Sequence, residues 1–256
     1  MPGTGVTLPR TTDELRDWVA RDFRLSRHDR EELMRGVESV LAFEDVVADL
    51  SDTSQRDPKT RLYRFDAFRQ RFEAYLATEQ RETCIGVGVV DINSFKIYND
   101  TLGHAIGDRI IERVACLLAE KVRSEDLIAS DSAGASRDLH ARLGGDEFCF
   151  VITDLQHPDT ACLIGNRYKR AVEGYDWSRE HEQLAERPVR VDVGIVCLTL
   201  GPIDDRRANA HALAHTLLDE ADRLMSSARQ VSAASAHVSS MELRNGGLVA
   251  RRETGC

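Results

Sequence analysis

The sequence predicts an α+β fold in which helices cover a central β-sheet, and three observations support this. Residues 85–92 (IGVGVVDI) form an almost continuous apolar run, as expected of a central strand buried on both faces. Residues 141–152 (ARLGGDEFCFVI) place two strand-like segments around a glycine turn, which predicts a β-hairpin. Stretches with helical apolar periodicity alternate with these strands, and this mixture is typical of a sheet covered by helices.

The remaining elements follow from the same patterns. Helices are expected at residues 65–76, 110–122, 160–175 and 208–230, and a further strand at 189–198. Residues 93–108 are predicted to form a loop, and the serine-, alanine- and glycine-rich residues 130–136 an exposed loop. A second hairpin is expected around Asn245-Gly246-Gly247 near the C-terminal end.

Three regions are expected along the chain. They are a disordered N-terminus at residues 1–10, a helical region at 11–56 and a main domain at 57–256. Leu33, Val40 and Val47 are spaced by seven, which predicts either a short coiled-coil seam or an amphipathic helix laid on the domain. The polar, turn-rich residues 49–58 mark the boundary with the main domain.

Composition narrows the class of protein. The chain has 256 residues, 42% of them hydrophobic and 30% charged, which is ordinary for a globular domain with an appendage. It has no apolar run of membrane-spanning length and no signal-peptide core, so we expect a cytoplasmic protein with no membrane partner. The six cysteines lack CxxC spacing and are expected to be reduced, and the net charge of −9 argues against nucleic-acid binding.

The turn Gly144-Gly145-Asp146-Glu147 carries the first candidate site. Glycines let the backbone adopt positive φ and approach a ligand closely. Asp146 and Glu147 on such a turn can point at a metal or a phosphate. Taken alone, the turn supports an ordinary solvated hairpin tip equally well, because glycine and aspartate are common turn residues.

A second set of polar residues lies at the end of the predicted central strand. If this strand neighbours the hairpin, Asp91 meets Asp146 and Glu147, and such a cluster favours a hard cation such as Mg²⁺. Asn99 and Asp108 can together read a guanine edge. Lys96 is a candidate for phosphate and His104 for a polar ligand, although each has a simpler role. Lys96 can be merely solvated, His104 can pack its loop and Asp108 can cap the next helix.

Two motifs in register resemble the GGDEF family, the diguanylate cyclases. They are DINSFKIYNDTLGHAIGD at residues 91–108 and RLGGDEF at 142–148, and the resemblance extends from Asp57 to the end of the last helix. It implies a ferredoxin- or adenylyl-cyclase-like palm, with a mostly antiparallel central sheet, and makes 57–256 the catalytic domain. It also implies condensation of two GTP into cyclic di-GMP with release of two pyrophosphates, by a dimer with one GTP per subunit.

The resemblance also implies roles for individual residues. Metal ligands would be Asp91, the Ile92 carbonyl, Asp146 and Glu147, with Mg²⁺, or alternatively Mn²⁺, as the ion. Asp146 would also accept the 3′-hydroxyl proton, and Glu147 would complete the catalytic acids. GTP would be bound by Lys96, Asn99, His104, Asp108, Gly144, Gly145 and Arg229.

The sequence departs from the family pattern at three places. In the opening motif, Lys59, Arg61 and Arg64 replace a leucine, a glycine and an asparagine, which we expect to alter packing more than chemistry. Arg229 stands where lysine is usual. The arginine expected four residues later is Ala233, so the triphosphate clamp has one cation fewer.

The product-inhibition motif, RxxD, is the third departure. Asp138 keeps the family spacing, but the arginine position holds Ala135. An RxxD does occur at Arg123 and Asp126, about a dozen residues too early. We therefore expect feedback inhibition to be impaired, or rebuilt as an inhibitory site from Arg123, Asp126, Arg137 and Asp138.

The preferred hypothesis is an active diguanylate cyclase whose N-terminal helices form a dimer or dock a regulatory protein. GTP is then the substrate, and the protein forms either a dimer or a higher oligomer. The alternative from another class is a degenerate palm that binds GTP or cyclic di-GMP and signals by protein contact. A third hypothesis, an acidic structural hairpin domain, would require every motif match to be accidental.

Overall fold

A seven-stranded mixed sheet forms the centre of the larger of two structural units in this computed structural model. The units are residues 1–55 and 56–256. The structure describes residues 28, 34–36, 52–125, 138–155, 157, 160–231, 235–244 and 247–255. In the first unit, residues 28, 34–36 and 52–55 are helical. The predicted disordered end at 1–10, the heptad seam and the serine-rich loop at 130–136 lie outside the described residues.

The strands and helices have the following bounds. The strands are β1 Tyr63–Arg64, β2 Cys84–Ile92, β3 Leu139–Gly144, β4 Glu147–Leu155, β5 Val191–Thr199, β6 His237–Arg244 and β7 Gly247–Gly255. The helices are α1 Phe65–Thr78, α2 Phe95–Leu102, α3 His104–Glu125, α4 Thr160–Glu173, α5 Ile203–Arg207 and α6 Ala210–Gln230. Two short 3₁₀ helices, Trp177–Arg179 and Glu182–Leu184, lie between α4 and β5.

The sheet is mostly antiparallel, which confirms the predicted α+β class. Its strand order is β1-β3-β4-β2-β5-β6-β7. The β1–β3 and β5–β6 pairs are parallel, and the other four are antiparallel. The predicted central strand, β2, lies in the middle of the order, and eight of its nine residues are buried.

Helices pack on both faces of β2, which explains its continuous apolar sequence. On one face, Val90 and Ile92 share a core with α3 and α4. On the other, Val87 and Val89 share a core with α1 and α6. Successive residues of a strand point to opposite faces of the sheet. Most residues of β2 are therefore apolar at both odd and even positions.

The predicted loop at residues 93–108 is wrong over most of its length. Residues Phe95–Leu102 form α2, and α3 already begins at His104. Gly103, with φ of 85°, separates the two helices in a backbone conformation that favours glycine. The eight residues of α2 bury Tyr98 alone, and so short a segment gives too few turns for helical periodicity to be recognised.

The C-terminal hairpin is confirmed by the antiparallel pairing of β6 with β7, with Arg244 opposite Gly247. Asn245 and Gly246, predicted for its turn, lie outside the described residues. Four cysteines, Cys84, Cys116, Cys149 and Cys197, form no disulfide. Cys162 is disulfide-bonded, which corrects the expectation that all six are reduced.

The longest described helices are amphipathic. The 22-residue α3 and the 21-residue α6 each bury one apolar side on the sheet and carry charged residues on the other. None of the helices in the described ranges has the combination of length and apolar character needed to cross a bilayer.

Candidate active site

The acidic turn connects β3 to β4, and its hairpin is confirmed. Gly144 pairs with Glu147, so Gly145 and Asp146 form the two-residue turn. Gly145 has φ of 53°, the positive value that the glycine pair suggested. A Cβ placed on either glycine would meet no heavy atom within 4 Å. The turn therefore has open space beside its backbone.

Arg142 holds this turn in place. Its Nε and Nη2 donate to the Gly145 carbonyl at 3.0 and 2.7 Å. Its Nη1 also donates to Asp57 Oδ2 at 3.3 Å. The Asp57 carboxylate accepts further hydrogen bonds from the backbone N–H groups of Thr60 and Lys59, at 2.8 and 3.2 Å. The opening motif is thus bonded to the acidic turn, a role that its sequence did not indicate.

The ionisation of Asp57 reflects these contacts. Burial acts to raise the pKa of its carboxyl, but the hydrogen bonds from Thr60 and the charge of Arg142 outweigh it and lower that pKa. The carboxylate is therefore held ionised as a partner for Arg142.

Three carboxylates form a row across the centre of the sheet. Asp91 on β2 is directly opposite Glu147 on β4 and Asp192 on β5. Residues directly opposite on neighbouring strands point to the same face, so the three side chains share one face. The Ile92 N–H donates to the Asp146 carbonyl at 3.3 Å, which brings the turn against the end of β2. The structure thus brings together the predicted acids Asp91, Asp146 and Glu147.

Burial and nearby negative charge raise the pKa values of Asp91 and Glu147. The pKa of Asp91 rises to about 6, chiefly because of burial, against the charge of Arg229, with further increases from Asp146 and Glu147. The pKa of Glu147 is also raised, by burial first and then by Asp222 and Asp146. A cluster whose members oppose each other's ionisation needs a nearby positive charge.

Arg229, in the last turn of α6, supplies that charge. Its Nη2 forms an ion pair with Asp91 Oδ1, and its Nε lies 3.8 Å from Asp192 Oδ2. The same Nη2 lies 3.4 Å from the Met225 sulfur. Arg229 was predicted to bind GTP phosphate. In this structure it contacts the acids instead.

Asp192 was missed by the sequence reasoning. Its side chain is 2% exposed, and its Oδ2 is buried without a hydrogen bond. The buried ammonium of Lys169 lies 3.7 Å from its Oδ1 and donates to the Val191 carbonyl at 2.6 Å. An aspartate inside the otherwise apolar strand VDVGIV was the signal that could have identified it.

The predicted base-reading residues lie together on α2 and α3. Asn99 lies on α2 with its Oδ1 directly over Gly107 of α3, where any Cβ would collide with it. Asp108, the next residue, forms a close ion pair with Lys59. The glycine therefore permits the close approach of the two helices and of the two side chains predicted to read guanine.

The other predicted residues are less closely gathered. Lys96 on α2 and His104 at the start of α3 are exposed. Of the candidate inhibitory residues, Asp138 accepts hydrogen bonds from the N–H and hydroxyl of Thr153 at 2.8 and 3.3 Å. Asp126, Arg137 and the side chain of Arg123 lie outside the described residues.

The acids fit a divalent cation by their chemistry. Hard cations prefer oxygen ligands, and this cluster offers carboxylates that repel one another and a buried Asp192 oxygen without a hydrogen bond. Within the described ranges, however, no three His, Cys, Asp or Glu side chains are already grouped to hold a metal. Arg229 occupies Asp91, so an ion would have to displace the guanidinium.

Comparison with known proteins gives the family. A family model described as diguanylate cyclase, GGDEF domain, matches residues 54–234. The chain belongs to the GGDEF family. The resemblance predicted from the motifs at 91–108 and 142–148 is thereby confirmed.

Curated relatives of this GGDEF chain carry matching names. It is 35% identical to the diguanylate cyclase DgcN of Escherichia coli (strain K12) over 109 residues, which cover 43% of the chain and 24% of DgcN. It is 28% identical to the probable diguanylate cyclase DgcT of the same organism over 143 residues, which cover 56% of the chain and 28% of DgcT. The chain thus spans about a quarter of the length of these two relatives.

Solved GGDEF structures share the fold. The coiled coil and GGDEF domain of DgcB from Caulobacter crescentus, in complex with c-di-GMP, matches with a TM-score of 0.61 at 18% identity, covering 81% of this chain and 97% of that one. A form of PA1120 (TpbB or YfiN) from Pseudomonas aeruginosa that comprises only the GGDEF domain matches with a TM-score of 0.51 at 25% identity. The match covers 74% of this chain and 95% of that one. These similarities confirm the predicted palm.

Proposed function

We propose that this GGDEF domain is an active diguanylate cyclase, which joins two GTP into cyclic di-GMP and releases two pyrophosphates. The observation that carries the proposal is the row of Asp91 and Glu147 across β2 and β4, bonded through Ile92 to the Asp146 turn. The names of the matched relatives agree with this activity.

The acids would hold the metal and take the proton. Asp91, the Ile92 carbonyl, Asp146 and Glu147 are the proposed ligands of Mg²⁺ or Mn²⁺. The bound ion would neutralise the triphosphate and polarise its α-phosphorus for in-line attack. The Asp146 carboxylate would accept the proton of the attacking 3′-hydroxyl.

Arg229 would change partners when the site is loaded. In the structure it neutralises Asp91 and lies near Asp192. A cation that takes over Asp91 would release the guanidinium toward the triphosphate, where arginine binds phosphate oxygens well. Lys96 would contact the terminal phosphate, and Gly144 and Gly145 would let the backbone pass beneath it.

The guanine would be read at the other end of the site. Asp108 can accept from the N1–H and N2–H₂ groups, and Asn99 supplies an amide beside it. His104, exposed at the start of α3, would help to position the nucleotide. The close packing of Asn99 on Gly107 supports this placement.

The reaction requires two copies of the site, because each new bond joins the 3′-oxygen of one GTP to the α-phosphorus of the other. We therefore propose a homodimer with one GTP per subunit. The N-terminal helices would join the two subunits and could also bind a regulatory protein. Specific activity should then fall as the protein is diluted below its dimer dissociation constant. Activity per chain that stays constant while sedimentation shows monomers would exclude the dimer.

A binding module is the second candidate function. The guanidinium already seated on Asp91 and the alanine at position 233 favour it, because both weaken the metal and phosphate sites. Such a protein would bind GTP or cyclic di-GMP and act through contacts with other proteins. In either case we propose that feedback inhibition through Asp138 is impaired.

The deciding experiment incubates the full chain with GTP and Mg²⁺ and separates the nucleotides by chromatography. We expect cyclic di-GMP from the wild type and a loss of at least about a hundredfold for Asp146→Asn, since a general base contributes 10²–10⁴-fold. Asp154→Asn at the far end of β4 is the matched control and should retain activity. Binding of GTP or cyclic di-GMP without product would support the binding module, and binding of neither nucleotide would reject both functions.

A further inference from the structure

We propose that Lys59 is a guanine-specificity residue, whose ammonium donates a hydrogen bond to O6 of the base read by Asp108. The inference rests on the proposed GTP site. It assigns a chemical role to a position of the opening motif at which the family has an apolar leucine.

The first observation is the position of the ammonium. Lys59 Nζ contacts Asp108 Oδ1 directly, with 29% of the lysine side chain and 49% of the aspartate side chain exposed. The pair is thus reachable from solvent, and the ammonium lies beside the very carboxylate proposed to bind guanine. A base bound to Asp108 would therefore lie next to Lys59.

The second observation is that the backbone of Lys59 is fixed. Its N–H donates to Asp57 Oδ1 at 3.2 Å, and Asp57 is in turn bonded to Arg142. Arg142 also donates to the Gly145 carbonyl of the acidic turn. Lys59 is therefore presented by a turn anchored to the rest of the site, unlike a lysine on an unrestrained surface loop.

The third observation is the surface beside the ion pair. Gly107 carries no side chain, and a Cβ there would meet Asn99 and, at 3.2 Å, the ring of Phe95. The glycine backbone, the aromatic ring and the amide thus adjoin Asp108. Asp108 is therefore held next to a tightly packed junction of α2 and α3, which fixes the position of the carboxylate that Lys59 contacts.

The chemistry of the guanine edge assigns the ammonium its role. N1–H and N2–H₂ are donors that suit a carboxylate, whereas the adjacent O6 is an acceptor that a carboxylate cannot serve. An ammonium touching the same carboxylate can donate to O6 while keeping its ion pair. Adenine offers a donor where guanine has O6, so the Lys59–Asp108 pair opposes it.

The family's leucine at this position has no donor. Lys59 would therefore be a contact of this chain in particular, added next to a base reader that the family shares. The charge of Lys59 also offsets that of Asp108 before the nucleotide arrives.

The test measures equilibrium binding of four diphosphates, GDP, IDP, 6-thio-GDP and ADP, with Mg²⁺ to the full chain. None of them can release pyrophosphate, so the titration reports binding alone. IDP lacks the N2 amine that reports on Asp108, and 6-thio-GDP replaces O6 by sulfur, a weak acceptor. In Lys59→Met, the preference for GDP over 6-thio-GDP should fall roughly tenfold, the usual effect of one charged hydrogen bond.

Two matched arms complete the design. The preference for GDP over IDP should be unchanged in Lys59→Met, and Lys59→Arg, which keeps a donor, should retain both preferences. An unchanged preference over 6-thio-GDP would overturn the inference. So would a loss of both preferences together, since Lys59 would then merely hold Asp108. A wild type that fails to prefer GDP over ADP would reject the proposed guanine site itself.

Discussion

Asp192 shows how one side chain changes the electrostatics of the site. It adds a second buried carboxylate directly beside Asp91, and its Oδ2 is buried without a hydrogen bond. Isolated charges of one sign are costly to bury, so Arg229 and Lys169 stabilise the buried acids by pairing with them. Loss of either cation should therefore lower the stability of the fold.

We expect Arg229→Met to destabilise the metal-free protein by about 1–2 kcal/mol. Removing one partner of a buried pair costs more than this, but the arginine side chain is 47% exposed and solvent reduces the penalty. Thermal denaturation in EDTA measures the loss, and added Mg²⁺ should stabilise the variant more than the wild type.

Arg223→Met is the matched control, because Arg223 lies on the same helix and pairs with Glu220 at the surface. Its effect should stay within about 0.5 kcal/mol. Equal losses for the two variants would show that Arg229 has no special role at the acids.

The β3–β4 hairpin is held by a residue that lies far from it in the sequence. Arg142 donates hydrogen bonds both to the Gly145 carbonyl and to Asp57, which lies 85 residues before Arg142 in the chain. The turn is therefore positioned by the segment before β1 as well as by its own strands.

We expect Arg142→Met to loosen the turn and to lower stability by roughly 1–3 kcal/mol, as for a lost charged hydrogen-bond pair. Hydrogen exchange should speed up at residues 145–147, where the carbonyl loses both donors. Arg81→Met provides the comparison, since Arg81 pairs with Asp154 at the other end of β4. Faster exchange at both ends in both variants would contradict a local effect.

Sequence reasoning succeeded for elements with a strong pattern. β2, the hairpin and α6 have long apolar runs or repeats, and their existence followed from those alone. It failed for α2, whose eight residues bury little and end at a glycine. Short helices stabilised mainly by tertiary contacts leave little local signal.

Across the chain, the motifs located the acids but not their partners. Asp91 and Glu147 were expected to meet, and their strands are indeed neighbours. The contacts of Lys59 with Asp108 and of Arg229 with Asp91 join distant segments, and one sequence does not contain that information. The third strand of the acid row was missed for the same reason, because nothing in the sequence places β5 beside β2.

The strand order also separates the chemistry from the edge of the sheet. The acids lie on β4, β2 and β5, and β6 begins its pairing with β5 at Gly194, past Asp192. Among the described residues, the terminal ribbon of β6 and β7 therefore makes no ladder bond to the residues of the acid row. The ribbon reaches the acid row through β5, whose ladder with β6 starts two residues beyond Asp192, so it can brace that strand without entering the site.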